Sequence, residues 1–210
     1  MALFSYVVAR DYGFAPNPFG NYCTLATCKP DIRGQANVGD WVVGIASRSD
    51  SLVPRLVYVM RVDEVHTYNT YWSDARFQYK KPSRVGAVKH LFGDNIYHQD
   101  IHGNWVQIDS HHSLDDGNPN VLNIANDTKS QGVLVSQHFA YWGSNALEIP
   151  DDFLDFNGET LLIKRGYRRH FSEEFINHFI QWFESLDLEG FHGAPYRWQR
   201  RTAQWSRPRK

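Results

Sequence analysis

A chain of 210 residues, 42% hydrophobic and 21% charged, is long enough for one domain with a substantial core. A formal net charge of −1 excludes a uniformly basic nucleic-acid binder, and two cysteines are too few for a disulfide framework. No apolar run approaches the roughly 18 residues of a membrane span. The opening MALFSYVVAR also lacks a basic segment ahead of its apolar stretch, so a cytoplasmic protein without a membrane partner is expected.

In chain order, residues 6–10 form a short apolar run that ends in the turn Asp11-Tyr12-Gly13, as a first strand would. Two prolines in FAPNPF make residues 14–19 a stiff, extended loop. Residues 22–28 suit a second short strand, stopped by Lys29-Pro30. Gly39-Asp40 signals a turn, and the compact apolar run 41–46 behind it reads as a buried strand. LVYVMRVDEV, residues 56–65, gives the clearest strand. Residues 66–91 are aromatic and basic with weak periodicity, a loop with one short helix.

Residues 113–127 are rich in Asp, Asn, Gly and Pro and read as loop, followed by a buried strand at GVLVS, 132–136. Ser172 caps a helix whose first turn carries Glu173 and Glu174, and Phe175, Phe179 and Phe183 recur along one face of it. Short strands, polar loops and one strong helix point to an α+β, mostly β fold: a small PUA-like barrel with long polar loops and a C-terminal helix. The Gly39-Asp40-Trp41 turn and the strand after it are similar to the hairpin of PUA-like domains such as the ASCH and EVE families. The expected organisation is a domain over 1–150, a helical extension over 151–190 and a basic tail over 191–210.

The most unusual segment is residues 93–113, GDNIYHQDIHGNWVQIDSHHS. It holds His98, His102, His111, His112, Asp94, Asp100 and Asp109, and half of the ten histidines lie between His90 and His112. Burying so many ionisable groups unpaired would cost several kcal/mol each. The turn at Gly103-Asn104 makes a hairpin with one polar face more plausible than a helical metal motif, and no metal site is assigned. As a pocket, Asp94 or Asp109 orients His98 or His112 as acid or base. Tyr97 or Trp105 stacks on a planar ring, and Asn95 and Asp94 read its edge.

A second polar cluster, with Asp11, Tyr12, Asn17, Lys29 and Arg33, sits in a loop stiffened by proline and glycine. Its Lys29 and Arg33 suit a phosphate. Cys23 and Cys28 admit roles as metal ligands or as a thiol nucleophile paired with a histidine. Their odd spacing in a strand separates them, and small buried residues are the simpler reading. Between Phe191 and Lys210 there are six basic residues and no acidic one. Interleaved with Trp198 and Trp205, they would suit a single-stranded nucleic acid.

Taken together, DYGFAPNP at 11–18, Cys28-Lys29-Pro30-x-Ile32-Arg33, Gly39-Asp40-Trp41, Gly93-Asp94-Asn95-Ile96-Tyr97, Asp109-Ser110-x-His112 and Phe139-x-Tyr141-Trp142-Gly143 occur in this order. The set resembles the nucleotide-modification-associated domain family, type 2, over about residues 3–150. The resemblance implies a protein that reads or acts on a modified nucleotide or nucleic acid, DNA rather than RNA, in bacterial or phage systems of DNA modification and defence. It implies no particular reaction and no cofactor. The leading expectation is therefore a nucleotide or modified-base binder. The alternative is a base- or nucleotide-modifying enzyme with a His/Asp acid–base pair.

Overall fold

The computed structural model describes residues 1–200, with side chains through Trp198. The chain runs β1 (Leu3–Val8), β2 (Cys23–Leu25), α1 (Pro30–Arg33), β3 (Trp41–Ala46), β4 (Arg55–Arg61), β5 (Glu64–Thr67) and α2 (Tyr68–Ser73). It continues with β6 (Tyr97–Gln99), β7 (Trp105–Gln107), α3 (Val121–Asp127), β8 (Gly132–Ser136), β9 (Phe139–Tyr141), β10 (Leu147–Glu148), β11 (Tyr167–Arg168), α4 (Glu173–Ser185) and β12 (Gly190–Phe191).

The largest sheet has the order β11-β1-β3-β4-β9-β12, with β10 beside β4, and β1 and β3 run parallel at its centre. Alternation along β1 and β3 gives it two faces. Leu3, Trp41, Val43 and Ile45 point to the side covered by Phe175, Phe179 and Phe183 of α4. Phe4, Tyr6, Val8 and Val42 point to the other side, where Cys23, Leu25 and Leu134 of the second sheet meet them. Cover on both faces is why β3 reads as an unbroken apolar run rather than an alternating one. Gly44 is required there, because a Cβ would lie 2.3 Å from the Tyr58 ring.

The second sheet, β2-β8-β5, is the middle of a layered stack. Its far face carries Val133 and Val135, packed under an aromatic layer of Tyr68, Tyr71, Phe77, Phe92 and Tyr97. The α+β class is as expected, but the sheets do not close. The large sheet ends at β11 and β12, which do not pair with each other, so the expected PUA-like barrel is not what the strands build. Closure would need the two ends to meet, and α4 instead covers one open face. No helix among the described residues is long and apolar enough to cross a membrane.

The other expectations differ in detail. The 56–65 strand breaks in two, because Asp63 turns the chain and its Oδ2 accepts from the Gln137 and His138 amides at 2.7 and 3.1 Å. Part of the 113–127 segment, read as loop, is helix α3. Asn120 caps it by accepting from the Leu122 and Asn123 amides. The Gly103-Asn104 turn does close a hairpin, in which Tyr97, His98 and Gln99 face Gln107, Val106 and Trp105. Ser172 Oγ accepts from Phe175 N at 3.1 Å and starts α4 as expected.

Candidate active site

Three segments remote in sequence meet at one edge of the second sheet. Directly after β2 the chain turns sharply: Cys28 and Lys29 have φ of 56° and 40°, both left-handed, before Pro30 opens α1. Left-handed backbone is costly for residues other than glycine and persists where surrounding structure enforces it. Arg33 supplies that force. Its buried guanidinium donates to the carbonyls of Cys28 (2.7 Å), Ser130 (3.1 Å), Gly132 (2.5 Å) and Asp127 (2.5 Å). A strand–turn–helix of this kind lifts one side chain clear of the sheet, and here it lifts Cys28.

Opposite Cys28 stands His112, from the loop that follows the hairpin. Its Nε2 lies 3.7 Å from Cys28 Sγ, and its Nδ1 lies 2.7 Å from Asp127 Oδ2. Asp127 is the last residue of α3 and is 1% exposed. Its carboxylate also accepts from the Cys28 amide at 2.8 Å and from the Tyr97 hydroxyl at 3.0 Å. Tyr97 in turn accepts from its cross-strand partner Gln107 at 3.0 Å. The His112 carbonyl is pinned by Asn123 at 2.8 Å, and Phe14 lies against the imidazole with ring centroids 4.6 Å apart.

The arrangement is graded from inside to outside: a buried carboxylate, an imidazole whose side chain is 16% exposed, and a half-buried thiol. Burial alone would depress the His112 pKa. The hydrogen bond to Asp127 and the contact with Cys28 outweigh it and raise the pKa to about 9. The charged imidazole is thereby favoured, held between an acceptor on Nδ1 and sulfur on Nε2. Next to it, Lys29 stacks its ammonium over Tyr6 at 4.6 Å, and burial lowers its pKa. Cys23 is on the other side of the strand, fully buried, with its thiol pushed up to about 12 by burial.

Of the residues expected at a site, the structure brings His112 and Tyr97 onto the Asp127 carboxylate, while Arg33 reaches the Asp127 main-chain carbonyl and Lys29 adjoins Cys28 in the chain. Asp109 is instead paired with Arg84 at 2.6 Å, and Asp94 is fully buried, accepting from Thr24 at 2.6 Å and Tyr71 at 2.7 Å. Burial raises the Asp94 pKa. His98 stacks on Trp72 at 4.1 Å, away from Asp94 and Asp109, and burial lowers its pKa. Asn95 donates to the Tyr71 and Phe77 carbonyls inside the core, and Asn17 receives the buried Lys80 ammonium at 2.7 Å.

Asp11 is likewise internal, accepting from the Tyr141 hydroxyl at 2.6 Å, and Tyr12 stacks on Phe92. Tyr97 is buried and offers no open face for stacking, while Trp105 is half-buried and packs edge-on against Tyr68. Arg33 uses its donors on backbone carbonyls, which leaves phosphate to other cations. The expected tail residues Arg201, Trp205, Arg207, Arg209 and Lys210 lie outside the described residues.

One participant, Asp127, escapes the sequence reading, and a second, Cys28, is admitted there as a nucleophile paired with a histidine but set below the reading as a small buried residue. Asp127 lay in a stretch read as loop, and only its Asn120-capped helix signal could have placed it in a fixed element. Cys28 was assigned to a strand, where it would be buried. The Cys28-Lys29-Pro30 sequence, a turn before proline, was the available signal for its exposure.

Open sheets covered by a helix on one side, with a thiol–imidazole–carboxylate cluster at a strand–turn–helix, define an α+β protein with a candidate site centred on Cys28. The chain belongs to the family described as nucleotide modification associated domain 2, whose profile matches residues 1–202. The match extends well beyond residue 150 and takes in α4. Comparisons with curated proteins and with solved structures found no match. The family name suggests a role linked to nucleotide modification.

Proposed function

We propose that the chain is a thiol-dependent enzyme that modifies a nucleotide or a base in nucleic acid, DNA rather than RNA. Cys28 is the nucleophile, His112 the proton carrier and Asp127 the residue that positions His112. The observation that carries this reading is the unbroken order Cys28 Sγ, His112 Nε2, His112 Nδ1, Asp127 Oδ2, with spacings of 3.7 and 2.7 Å at its two non-covalent links. A base beside a thiol, oriented by a third group, is the general signature of an activated nucleophile.

In the proposed reaction the thiol proton resides on His112 Nε2 while sulfur forms a bond to an electrophilic carbon of the substrate. The electron pair displaced from that carbon moves to a leaving group, which His112 protonates. Water then gives its proton to His112 and attacks the same carbon, the carbon–sulfur bond breaks with its electron pair on sulfur, and the net change is hydrolysis. Asp127 fixes the ring so that Nε2, rather than Nδ1, faces sulfur. The defence setting follows the family resemblance and is part of the same proposal.

One other reading has an observation behind it. Ligand atoms of Cys28, His112 and Asp127 lie within 4.8 Å of one another, as in a metal site. Asp127, however, is bound to Nδ1 of His112 and to two further donors, the place of an outer partner that orients a ligand. That leaves two inner ligands, fewer than the three protein ligands of catalytic zinc sites.

The test incubates the protein with nucleotides and DNA oligonucleotides, followed by mass spectrometry of both protein and nucleosides. Modified nucleoside, or a protein–nucleotide adduct, is expected with wild type and is expected to vanish in Cys28→Ala and His112→Ala. Product from Cys28→Ala overturns the proposal, as does wild-type Cys28 that iodoacetamide alkylates no faster than a free cysteine. Metal content by elemental analysis near one equivalent, lost in Cys28→Ala, would favour the metal reading.

A further inference from the structure

A groove of about 1740 Å³ runs along the β1/β3 end of the large sheet, between the β3–β4 connection and residues 158–170. Its cations are Arg48, Lys164, Arg168 and Arg169, and its one carboxylate is Glu159. Glu159 is already engaged, accepting from the Ser172 amide at 2.7 Å and from the Ser172 hydroxyl.

Four arginines elsewhere in the fold meet carboxylates, Arg61 with Asp63, Arg76 with Glu64 and Asp74, Arg84 with Asp109, and Arg197 with Asp50, while Arg33 and Arg55 bond backbone carbonyls. None of the groove's cations makes an ion pair among the described residues. Arg168 donates to the Thr160 carbonyl, and Arg169 bonds the Gln35 side chain. Both are thus held in place with their charge uncompensated. Arg48 and Lys164 are exposed. Between the charges, Ile45, Leu52, Ile163 and Tyr167 give the groove apolar walls, and Leu52 is 91% exposed.

We infer that this groove binds a single-stranded nucleic acid, with phosphates on Arg48, Lys164, Arg168 and Arg169 and bases against Leu52, Ile163 and Tyr167. Uncompensated cations along a groove match a polyanion, and apolar surface between them suits exposed bases, which a duplex hides. The inference goes beyond the proposed chemistry, since binding here needs no reaction.

The experiment is fluorescence anisotropy with a labelled 15-nucleotide single strand in low salt, comparing wild type with Arg48→Glu/Lys164→Glu. These two side chains hold no other element, so the variant keeps its fold, checked by circular dichroism. Wild type is expected to bind. The variant is expected to bind at least about tenfold more weakly, with a salt slope smaller by about 1.4, the value for two lost phosphate contacts on a single strand.

Arg84→Glu, whose arginine is paired with Asp109 away from the groove, is expected to bind as wild type does. The inference is overturned if wild type does not bind, or if the double variant binds unchanged. It is also overturned if the duplex of the same sequence binds as tightly, or if phosphatidylserine vesicles bind in place of the oligonucleotide. Binding is read without turnover and the chemistry is read as product or adduct, so failure of the chemistry and failure of the groove give different results.

Discussion

The Nε of Arg33 donates to the carbonyl of Cys28 at 2.7 Å, so a buried guanidinium fixes the turn that presents the thiol. The same group serves three further carbonyls, from Asp127, Ser130 and Gly132, and so ties the Cys28 turn to the end of α3 and the start of β8. Lysine keeps the charge but cannot span four acceptors in a planar fork. Arg33→Lys is expected to lower stability by about 2–4 kcal/mol, since each buried carbonyl left without a donor costs about 1–3 kcal/mol. Urea denaturation measures this. A midpoint equal to wild type would show that the carbonyls find other donors.

Asp127→Asn separates the positioning of His112 from the folding of the site. The amide oxygen can still accept from the Cys28 amide, but it cannot hold a charged imidazole as a carboxylate does. Alkylation of Cys28 by iodoacetamide at pH 7 is expected to slow by about 10–100-fold, the usual cost of losing an outer partner of a working histidine. Circular dichroism should be unchanged. Equal alkylation rates in the two proteins would place Asp127 in a structural role only.

Stability should also depend on pH through His112. Its folded pKa, about 9, lies above the ordinary value of 6.5, so protonation favours the folded state. The contribution is complete below about pH 6.5, shrinks as pH rises, and is gone above about 9. Between those limits the wild type is expected to lose on the order of 1–3 kcal/mol. His112→Asn should flatten that loss. Denaturation midpoints across pH 6–9.5 decide it, and a parallel decline in the variant would assign the loss to other groups.

Residues covered on both faces were the most legible part of the fold. Trp41–Ala46 and Gly132–Ser136 are apolar throughout because each lies between packed layers, and their bounds match the sequence reading. The hairpin at Gly103 was legible for a local reason, since Gly103 adopts φ of 81° where a side chain would be strained. α3 was not, because its sequence VLNIAND is short and half polar, and its stability comes from the Asn120 cap and from the site it supports.

The site was half legible on the same grounds. The density of histidine and aspartate drew attention to His112, but composition cannot distinguish a carboxylate at a site from one satisfied inside the core. Asp94 is of the second kind, bound by Thr24 and Tyr71. Asp127 reaches His112 across 15 residues through the packing of α3, a contact that no local spacing encodes.

The C-terminal helix offers a direct measure of whether residues beyond 150 are an appendage or part of the fold. Phe179 is fully buried, with its ring 5.2 Å from that of Phe153, and the helix face it shares with Phe175 and Phe183 packs on Trp41, Val43 and Ile45 of the large sheet. Deleting a buried phenyl ring from such a contact costs about 3–5 kcal/mol, from lost burial and the cavity left behind. Phe179→Ala is therefore expected to lower stability by that amount in a single cooperative transition, whereas Gln181→Ala, on the exposed side, should change it by less than about 0.5 kcal/mol. An appendage would respond differently. The helix would melt first, circular dichroism would show two transitions, and the sheet would keep its wild-type midpoint. Thermal and urea melts followed by both helical signal and tryptophan fluorescence distinguish the two. A single transition, coincident for both probes and shifted by Phe179→Ala, would place α4 within the cooperative core that supports β1 and β3.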